Sequence, residues 1–162
     1  MGKYPVEAVS MLARIAAEIE PNRPRYRLQE ALKTYGRDGN VSLTDLIALS
    51  VEITLERVTP AAVIVPTVSG ATARNIARFR FPVWITSVSP KEATCQSLQF
   101  SYGVHPVYEP DYPEDWKVFA LEWLRSHDLQ GGLAVLTEGP SSKHPDANHR
   151  MELVDLSRVD DK

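Results

Sequence analysis

The sequence contains one cysteine, no long apolar run and no excess of basic charge. A single Cys95 among 162 residues excludes an intramolecular disulfide, and its place within KEATCQSLQF predicts a small buried side chain of a helix. No stretch approaches the roughly 18 apolar residues that a membrane-spanning helix needs. The start MGKYPVEAV also lacks the apolar core of a signal peptide. We therefore expect a cytoplasmic protein with no membrane partner.

The charge balance argues against nucleic-acid binding. The chain carries 18 Lys and Arg residues against 21 Asp and Glu residues, for a net charge of -3. Neutralising a phosphate backbone requires a broad basic surface, which this composition does not provide. With 43% hydrophobic residues, a chain of this length matches one compact domain.

The second half of the chain alternates between strand and helix patterns. The β-rich apolar runs AAVIVPT and PVWITSV each precede a helix pattern, as strands covered on both faces by helices do. VHPVY, LAVLTE and HRMELVDL supply three further strands, and the connection before the last strand is too short for a crossover helix. This pattern predicts a three-layer α/β/α fold with a five-stranded, mainly parallel sheet whose last strand is antiparallel.

The single domain divides into three predicted parts. Residues 1–58 form N-terminal helices, residues 61–156 form the β/α core, and residues 157–162 form a polar tail that frays. In the first helix, apolar residues recur every three or four positions and predict one buried stripe, made of Val6, Val9, Leu12, Ala16 and Ile19. The segment DLIALSVEITLERV, after a cap at Ser42 or Thr44, predicts a largely buried helix.

The stretch IVPTVSGATARNIARFR holds the strongest candidate for a binding site. Ligands of open α/β sheets collect where parallel strands end and helix N-termini present unpaired amides. Three hydroxyl residues follow the first strand there, Thr67, Ser69 and Thr72, and Gly70 permits a close approach of the backbone. We expect the amides of residues 70–73 to point outward and favour a phosphate. The alternative is that Ser69 only caps the helix.

A second polar loop follows the strand LAVLTE. If that strand neighbours the first strand, the loop EGPSSKHPDANHR brings its cationic side chains to the same rim, namely Lys143, His144, His149 and Arg150. The alternative is a solvated surface loop without a ligand.

Enzyme chemistry has few candidates in this sequence. A dinucleotide site needs three glycines in its first turn, where this chain has only Gly70. No serine lies in a nucleophile-elbow pattern, and His105 and His127 are isolated in the sequence. If the chain is an enzyme acting on a small phosphorylated compound, His144 and His149 are its convenient general acids or bases.

Several of these segments together resemble the C-terminal domain of pyruvate kinase. GKYPVEAV looks like the segment where that domain leaves the catalytic barrel, and TVSGAT is similar to the family's effector-phosphate loop. The resemblance implies an α/β domain that binds a phosphorylated effector, often a sugar bisphosphate, and helps to build an oligomer. It implies no cofactor in this domain. Phosphate transfer from phosphoenolpyruvate to ADP belongs to another part of such enzymes.

The resemblance also assigns positions. Thr67, Ser69, Gly70 and Thr72 match the family's phosphate loop, whereas Ala71 stands where many members have a basic residue. The family's glycine-rich effector loop is replaced here by EGPSSKHPDANHR, with Glu138 near its start. Lys143, His149 or Arg150 then supply replacement charge for a phosphorylated metabolite; the alternatives are a monophosphate ligand and a pocket that is kept without a ligand.

Three functional hypotheses remain open at this stage. The first is a regulatory and assembly module that binds a phosphorylated metabolite and associates with copies of itself or with a pyruvate kinase barrel. The second is a stand-alone phosphate-binding protein or enzyme, and the third is a purely structural assembly piece. Because the resemblance begins at the first residues, we expect no catalysis from this chain alone, either as a fragment or as a separately encoded relative.

Overall fold

The computed structural model describes residues 2–22, 42–140, 146 and 148–158. Helix α1 spans Pro5–Ile19 and continues into a 3-10 turn, Glu20–Asn22; helix α2 spans Leu43–Leu55. The core then runs β1 (Ala62–Pro66), α3 (Ala71–Ala77), β2 (Ile85–Ser89), α4 (Glu92–Leu98), β3 (Val104–Tyr108), α5 (Trp116–Ser126), β4 (Leu133–Glu138) and β5 (Arg150–Asp155). A 3-10 turn, Leu156–Arg158, follows. The segment RYRLQEALKTYGRDGN and most of the tail predicted to fray lie outside the described residues.

The five strands form one sheet in the order β3-β2-β1-β4-β5. β1 pairs in parallel with both β2 and β4, β3 pairs in parallel with β2, and β5 is antiparallel to β4. The predicted fold, three layers with a mainly parallel sheet and an antiparallel last strand, is therefore confirmed. Because β1 and β4 are neighbours, the loops that follow them meet at one edge of the sheet.

Helices cover both faces of the sheet because its side chains alternate between two apolar clusters. Val63, Val65 and Val135 pack with α2, α3 and α4, whereas Ile64 and Leu136 pack with α5. The central strands are buried on both faces, as their continuous apolar sequences predict.

Helix α2 begins at a side-chain cap and buries a carboxylate. Ser42 is the cap, since its hydroxyl oxygen accepts a hydrogen bond from the Asp45 amide at 3.1 Å. Glu52 is only 1% exposed, and neither of its carboxylate oxygens has a hydrogen-bond partner among the described residues. Burial, with a smaller contribution from the Glu56 carboxylate, raises the pKa of Glu52 to about 7.

The prediction of a buried stripe on α1 is wrong for this chain. None of the residues of α1 is buried, and Val6, Val9 and Leu12 are 73%, 66% and 67% exposed. The periodicity is real, because the apolar residues do share one side of the helix, but that side faces solvent.

Within the described part of the chain, no helix combines the length and the hydropathy needed to cross a bilayer.

A side-chain cap and a left-handed residue define the two ends of helix α5. It stops at Ser126, where His127 leaves the helical conformation and Asp128 takes a left-handed backbone angle, φ 51°. Gly131 and Gly132 lie beyond this end. Asp115 caps the start of the helix, since its carboxylate accepts hydrogen bonds from the amides of Lys117 and Val118 at 2.7 and 3.3 Å.

Candidate functional site

The turn after β1 is shaped by its own hydroxyl groups. Gly70 has a left-handed backbone, φ 79°, and caps α3 in place of Ser69. The Gly70 amide donates to the Thr67 hydroxyl oxygen at 2.9 Å, and the Ala71 amide donates to the Ser69 hydroxyl oxygen at 3.4 Å. The expectation that all amides of residues 70–73 face outward is therefore wrong, because the first two are bonded inside the turn. Helix geometry leaves the amides of Thr72 and Ala73 without intrahelical acceptors.

The Arg74 side chain also stabilises this turn. Its guanidinium donates to the Ser69 carbonyl oxygen at 2.6 Å and to the Ser97 hydroxyl on α4 at 3.5 Å. A β-carbon at Gly70 would lie 2.9 Å from the Arg74 Nη1 atom. The turn is thus held by hydrogen bonds on two sides, and its left-handed backbone angle at residue 70, φ 79°, favours glycine there.

A small cavity of about 160 Å³ opens beside this turn, at the carboxyl ends of β1 and β4. All the residues predicted to bind phosphate at the turn line this cavity, except Gly70, and residues of α2 and β4 also line it. The lining includes Thr44, Thr67, Ser69, Ala71, Thr72 and Thr137. A cavity of about 150 Å³ holds a molecule the size of benzene, so this one accommodates only a small chemical group.

Thr137 is the residue of this cavity that sequence reasoning missed. It lies on β4 two positions after Val135, so its side chain faces the α2 and α3 side of the sheet. The residue is 1% exposed, and its hydroxyl oxygen has no hydrogen-bond partner among the described residues. A threonine at the end of the apolar strand LAVLTE was the available signal.

The second predicted cluster is only partly brought to the turn. His149 lines the small cavity and packs over Gly139, where an added β-carbon would lie 2.9 Å from the His149 Nδ1 atom. Arg150 instead forms an ion pair with Glu138. Lys143 and His144 lie outside the described residues. Of the two predicted replacement residues that the structure describes, His149 lines the cavity beside the turn, whereas the charge of Arg150 is compensated.

A larger cavity of about 780 Å³ adjoins the small one on the α5 side of the sheet. The two share Pro66, Tyr112 and Glu138 in their walls. The larger cavity is lined by more acidic than basic side chains, namely Glu114, Asp115, Glu138 and Glu152 against Lys117 and Arg150. The Lys117 ammonium pairs with the Glu152 carboxylate at 3.3 Å. This second space is therefore polar and has no surplus positive charge.

Tyr112 stands where the two cavities meet. Burial, with a smaller contribution from the Cys95 thiolate, raises the pKa of Tyr112 to about 12. The phenol is thus protonated at neutral pH and available as a hydrogen-bond donor in the shared wall.

Comparisons with known proteins agree on one family. Residues 45–149 match the model of the family "Pyruvate kinase, alpha/beta domain". Pyruvate kinase 2 of Synechocystis sp. is 33% identical over 143 residues, covering 86% of this chain and 23% of its own length. Pyruvate kinase of Thermococcus litoralis is 36% identical over 109 residues, covering 65% of this chain and 22% of its own. The chain thus spans less than a quarter of these relatives.

Solved structures give the same fold. The structure of Cryptosporidium parvum pyruvate kinase in complex with ADP superposes with a TM-score of 0.77 and 23% identity. The match covers 96% of this chain and 32% of that one. At this identity the similarity establishes the fold alone.

Proposed function

This chain belongs to the pyruvate kinase family, as its α/β domain, and on that premise we propose that it is a regulatory and oligomerisation domain that binds a phosphorylated metabolite. The ligand's phosphate occupies the small cavity beside residues 67–72. The parent enzyme transfers phosphate from phosphoenolpyruvate to ADP in another domain, with formation of pyruvate and ATP.

The unpartnered hydroxyl of Thr137 carries this proposal. A buried hydroxyl without a partner costs about 1–3 kcal/mol, and a phosphate oxygen in the cavity would accept its proton. Thr67 contributes in the same way, because its oxygen accepts from the Gly70 amide and its own O–H remains to donate. Thr72 adds a hydroxyl and a first-turn amide of α3. We infer that these donors together stabilise a phosphate dianion.

Size and charge favour a monophosphate with a polar body. The 160 Å³ cavity fits a phosphate group but not a whole metabolite, so the rest of the ligand extends into the 780 Å³ cavity. There the carboxylates outnumber the cations, and the Glu138–Arg150 pair occupies the position from which Arg150 would bind a second phosphate. Hydroxyl groups of a sugar suit this lining better than a second dianion does.

Assembly is the second part of the proposed role. The apolar stripe of α1 is exposed in the chain alone, and exposed stripes of this kind mark protein–protein contacts. We assign the stripe to contact with a pyruvate kinase barrel or with another copy of the domain. Ligand binding at the turn would then affect the barrel or the neighbouring copy through this contact surface.

A thermal-shift panel tests the binding role. The chain is titrated with glucose 6-phosphate, ribose 5-phosphate, AMP, fructose bisphosphate and inorganic phosphate. A ligand at 100 times its dissociation constant adds about 2.7 kcal/mol of stability. For a chain of this length that corresponds to a shift of about 5–10 °C. We expect the shift to shrink in Ser69→Ala and Thr72→Ala but to persist in Thr59→Val, which removes an exposed hydroxyl before β1. No saturable shift with any of these compounds overturns the proposal.

A further inference from the structure

The turn at residues 67–72 contacts one face of helix α4. The Thr94 hydroxyl donates a hydrogen bond to the Val68 carbonyl oxygen at 2.9 Å, in a partly buried position. The Leu98 side chain packs against Gly70, since a β-carbon added at Gly70 would lie 3.1 Å from the Leu98 Cδ2 atom. Thr94 and Leu98 are four residues apart, so they lie on the same side of the helix. This side of α4 therefore forms one wall of the turn.

Side chains of α3 and α4 hold two successive carbonyl groups of the turn. The Arg74 guanidinium donates to the Ser69 carbonyl oxygen at 2.6 Å and to the Ser97 hydroxyl of α4 at 3.5 Å. The Val68 carbonyl oxygen accepts from Thr94, and no backbone amide among the described residues bonds it. The Thr94 hydroxyl therefore fixes the peptide unit between residues 68 and 69.

The orientation of the Val68 carbonyl determines that of the next amide. A trans peptide unit is planar, so its N–H points in the direction opposite to its C=O. The peptide bond between Val68 and Ser69 is trans. The Ser69 N–H therefore points away from α4. This N–H has no acceptor within the part of the chain that the structure describes.

The small cavity opens on the side to which this amide points. In the sheet order β3-β2-β1-β4-β5, α4 packs on β2 and β3, which lie on one side of β1. The cavity is lined on the other side of β1 by Thr137 and Glu138 of β4. Ser69 also lines the cavity, and none of its described lining residues belongs to α4. The unbonded Ser69 amide is therefore a backbone donor on the cavity side of the turn.

We propose that Thr94 is a positioning residue of the phosphate site, which sets the orientation of the Ser69 amide and thereby the affinity for a phosphate group. The inference rests on the proposed function, because it concerns the same phosphate. Thr94 does not line the cavity, so it acts through the peptide unit that it holds. A donor that is already fixed binds an anion more tightly than a mobile donor, because less conformational freedom is lost on binding.

Two substitutions at residue 94 separate its hydrogen bond from its packing. Thr94→Val removes the hydroxyl and keeps the shape of the side chain, whereas Thr94→Ser keeps the hydroxyl. Calorimetry with glucose 6-phosphate, below the melting temperatures of all variants, should show at least about fivefold weaker binding to Thr94→Val than to the parent chain. Thr94→Ser should restore the affinity. Gln96→Ala is the matched control, because it truncates an exposed side chain of α4 and should bind as the parent chain does.

Hydrogen exchange without ligand tests the same bond independently. The Gly70 amide is bonded to a hydroxyl oxygen inside the turn, so a loosened turn should exchange it at least about threefold faster in Thr94→Val but not in Thr94→Ser. If the parent chain binds glucose 6-phosphate, equal affinity of Thr94→Val, or an equal loss in Thr94→Ser, overturns this inference alone.

No binding of glucose 6-phosphate or inorganic phosphate to the parent chain would instead contradict the proposed function, and the role of Thr94 in affinity with it. The exchange rates would then still decide whether Thr94 orders the turn. Equal exchange of the Gly70 amide in the parent chain and in Thr94→Val would show that it does not.

Discussion

The Thr67 side-chain oxygen accepts a hydrogen bond from the Gly70 amide, 2.9 Å away, inside the turn that ends β1. Thr67 is buried, so this bond forms away from water, where an unpaired amide would be costly. It fixes the turn before any ligand arrives and leaves the Thr67 proton free to be donated. The proposed phosphate site is therefore preorganised rather than assembled by its ligand.

Replacing Gly70 by alanine tests how far the turn depends on its left-handed backbone. A non-glycine residue at φ 79° costs about 1–2 kcal/mol, and the new β-carbon would approach the tip of Arg74 at 2.9 Å. We expect Gly70→Ala to lower the free energy of unfolding by at least this amount in urea titrations. Gly132→Ala is the control, because nothing lies within 4 Å of its added β-carbon. Equal stability of the two variants would contradict this account of the turn.

Glu52→Gln should make the chain more stable at neutral and alkaline pH. The pKa of Glu52 is raised to about 7 in the folded state, against about 4.3 when unfolded, so the folded chain binds more protons between these values. The stability from Glu52 is therefore complete below about pH 4.3 and is lost as the pH rises through about 7. At about 1.4 kcal/mol per pKa unit, the variant should gain about 3–4 kcal/mol over the parent above pH 8.

Unfolding in urea at several pH values measures this difference. The gain from Glu52→Gln should vanish near pH 4, whereas Glu122→Gln, at an exposed position on α5, should change little at any pH. A gain that does not vary with pH would show that Glu52 does not titrate as described.

The sequence predicts the sheet well and the contacts between distant loops poorly. Continuous apolar runs such as AAVIVPT and PVWITSV reveal buried strands, because strands covered on both faces have few polar positions. They do not reveal that Arg150 pairs with Glu138, since that contact depends on how β4 and β5 pair across the loop. The α1 stripe shows the same limit, because periodicity gives the apolar side of a helix but not what covers it.

At the proposed phosphate site, too, the sequence predicts the neighbouring residues but not the distant one. Thr67, Ser69 and Thr72 come from one short segment, so the sequence places them together. Thr137 comes from another strand, and only the parallel pairing of β1 with β4 brings it to the turn. The Thr137 hydroxyl points to a binding site only once the structure shows that it is buried without a hydrogen-bond partner among the described residues.

Breaking the ion pair between Arg150 and Glu138 should change which phosphorylated ligands bind. In Glu138→Gln the ion pair is lost, and an arginine beside the larger cavity becomes available for a second phosphate. We expect calorimetry to show several-fold tighter binding of fructose bisphosphate in this variant than in the parent chain, with glucose 6-phosphate little changed. Glu122→Gln, at an exposed position on α5, is the control for net charge. If Glu138→Gln binds fructose bisphosphate and glucose 6-phosphate with the same relative affinities as the parent chain, the Glu138–Arg150 ion pair does not determine the choice of ligand.

Charges on the exposed side of α1 should block assembly without unfolding the domain. Leu12 is 67% exposed and Val9 is 66% exposed, so Val9→Asp and Leu12→Asp remove little buried surface. We expect sedimentation velocity to show loss of self-association or of binding to a pyruvate kinase barrel, with a nearly unchanged melting temperature. Ser10→Asp adds the same charge outside the stripe and should still associate. Association that survives the first two variants would assign assembly to another surface.

The most direct test of the account is isothermal titration of the chain and its Thr137→Val variant with glucose 6-phosphate and inorganic phosphate. Valine keeps the shape of the side chain and removes the buried, unpartnered hydroxyl of a residue that lines the small cavity. We predict saturable binding to the parent chain and at least about tenfold weaker binding to Thr137→Val, since a hydrogen bond to a charged group is worth about 1.5–3 kcal/mol. Equal affinity of the two proteins, or no binding by the parent chain, would contradict a phosphate site at this turn.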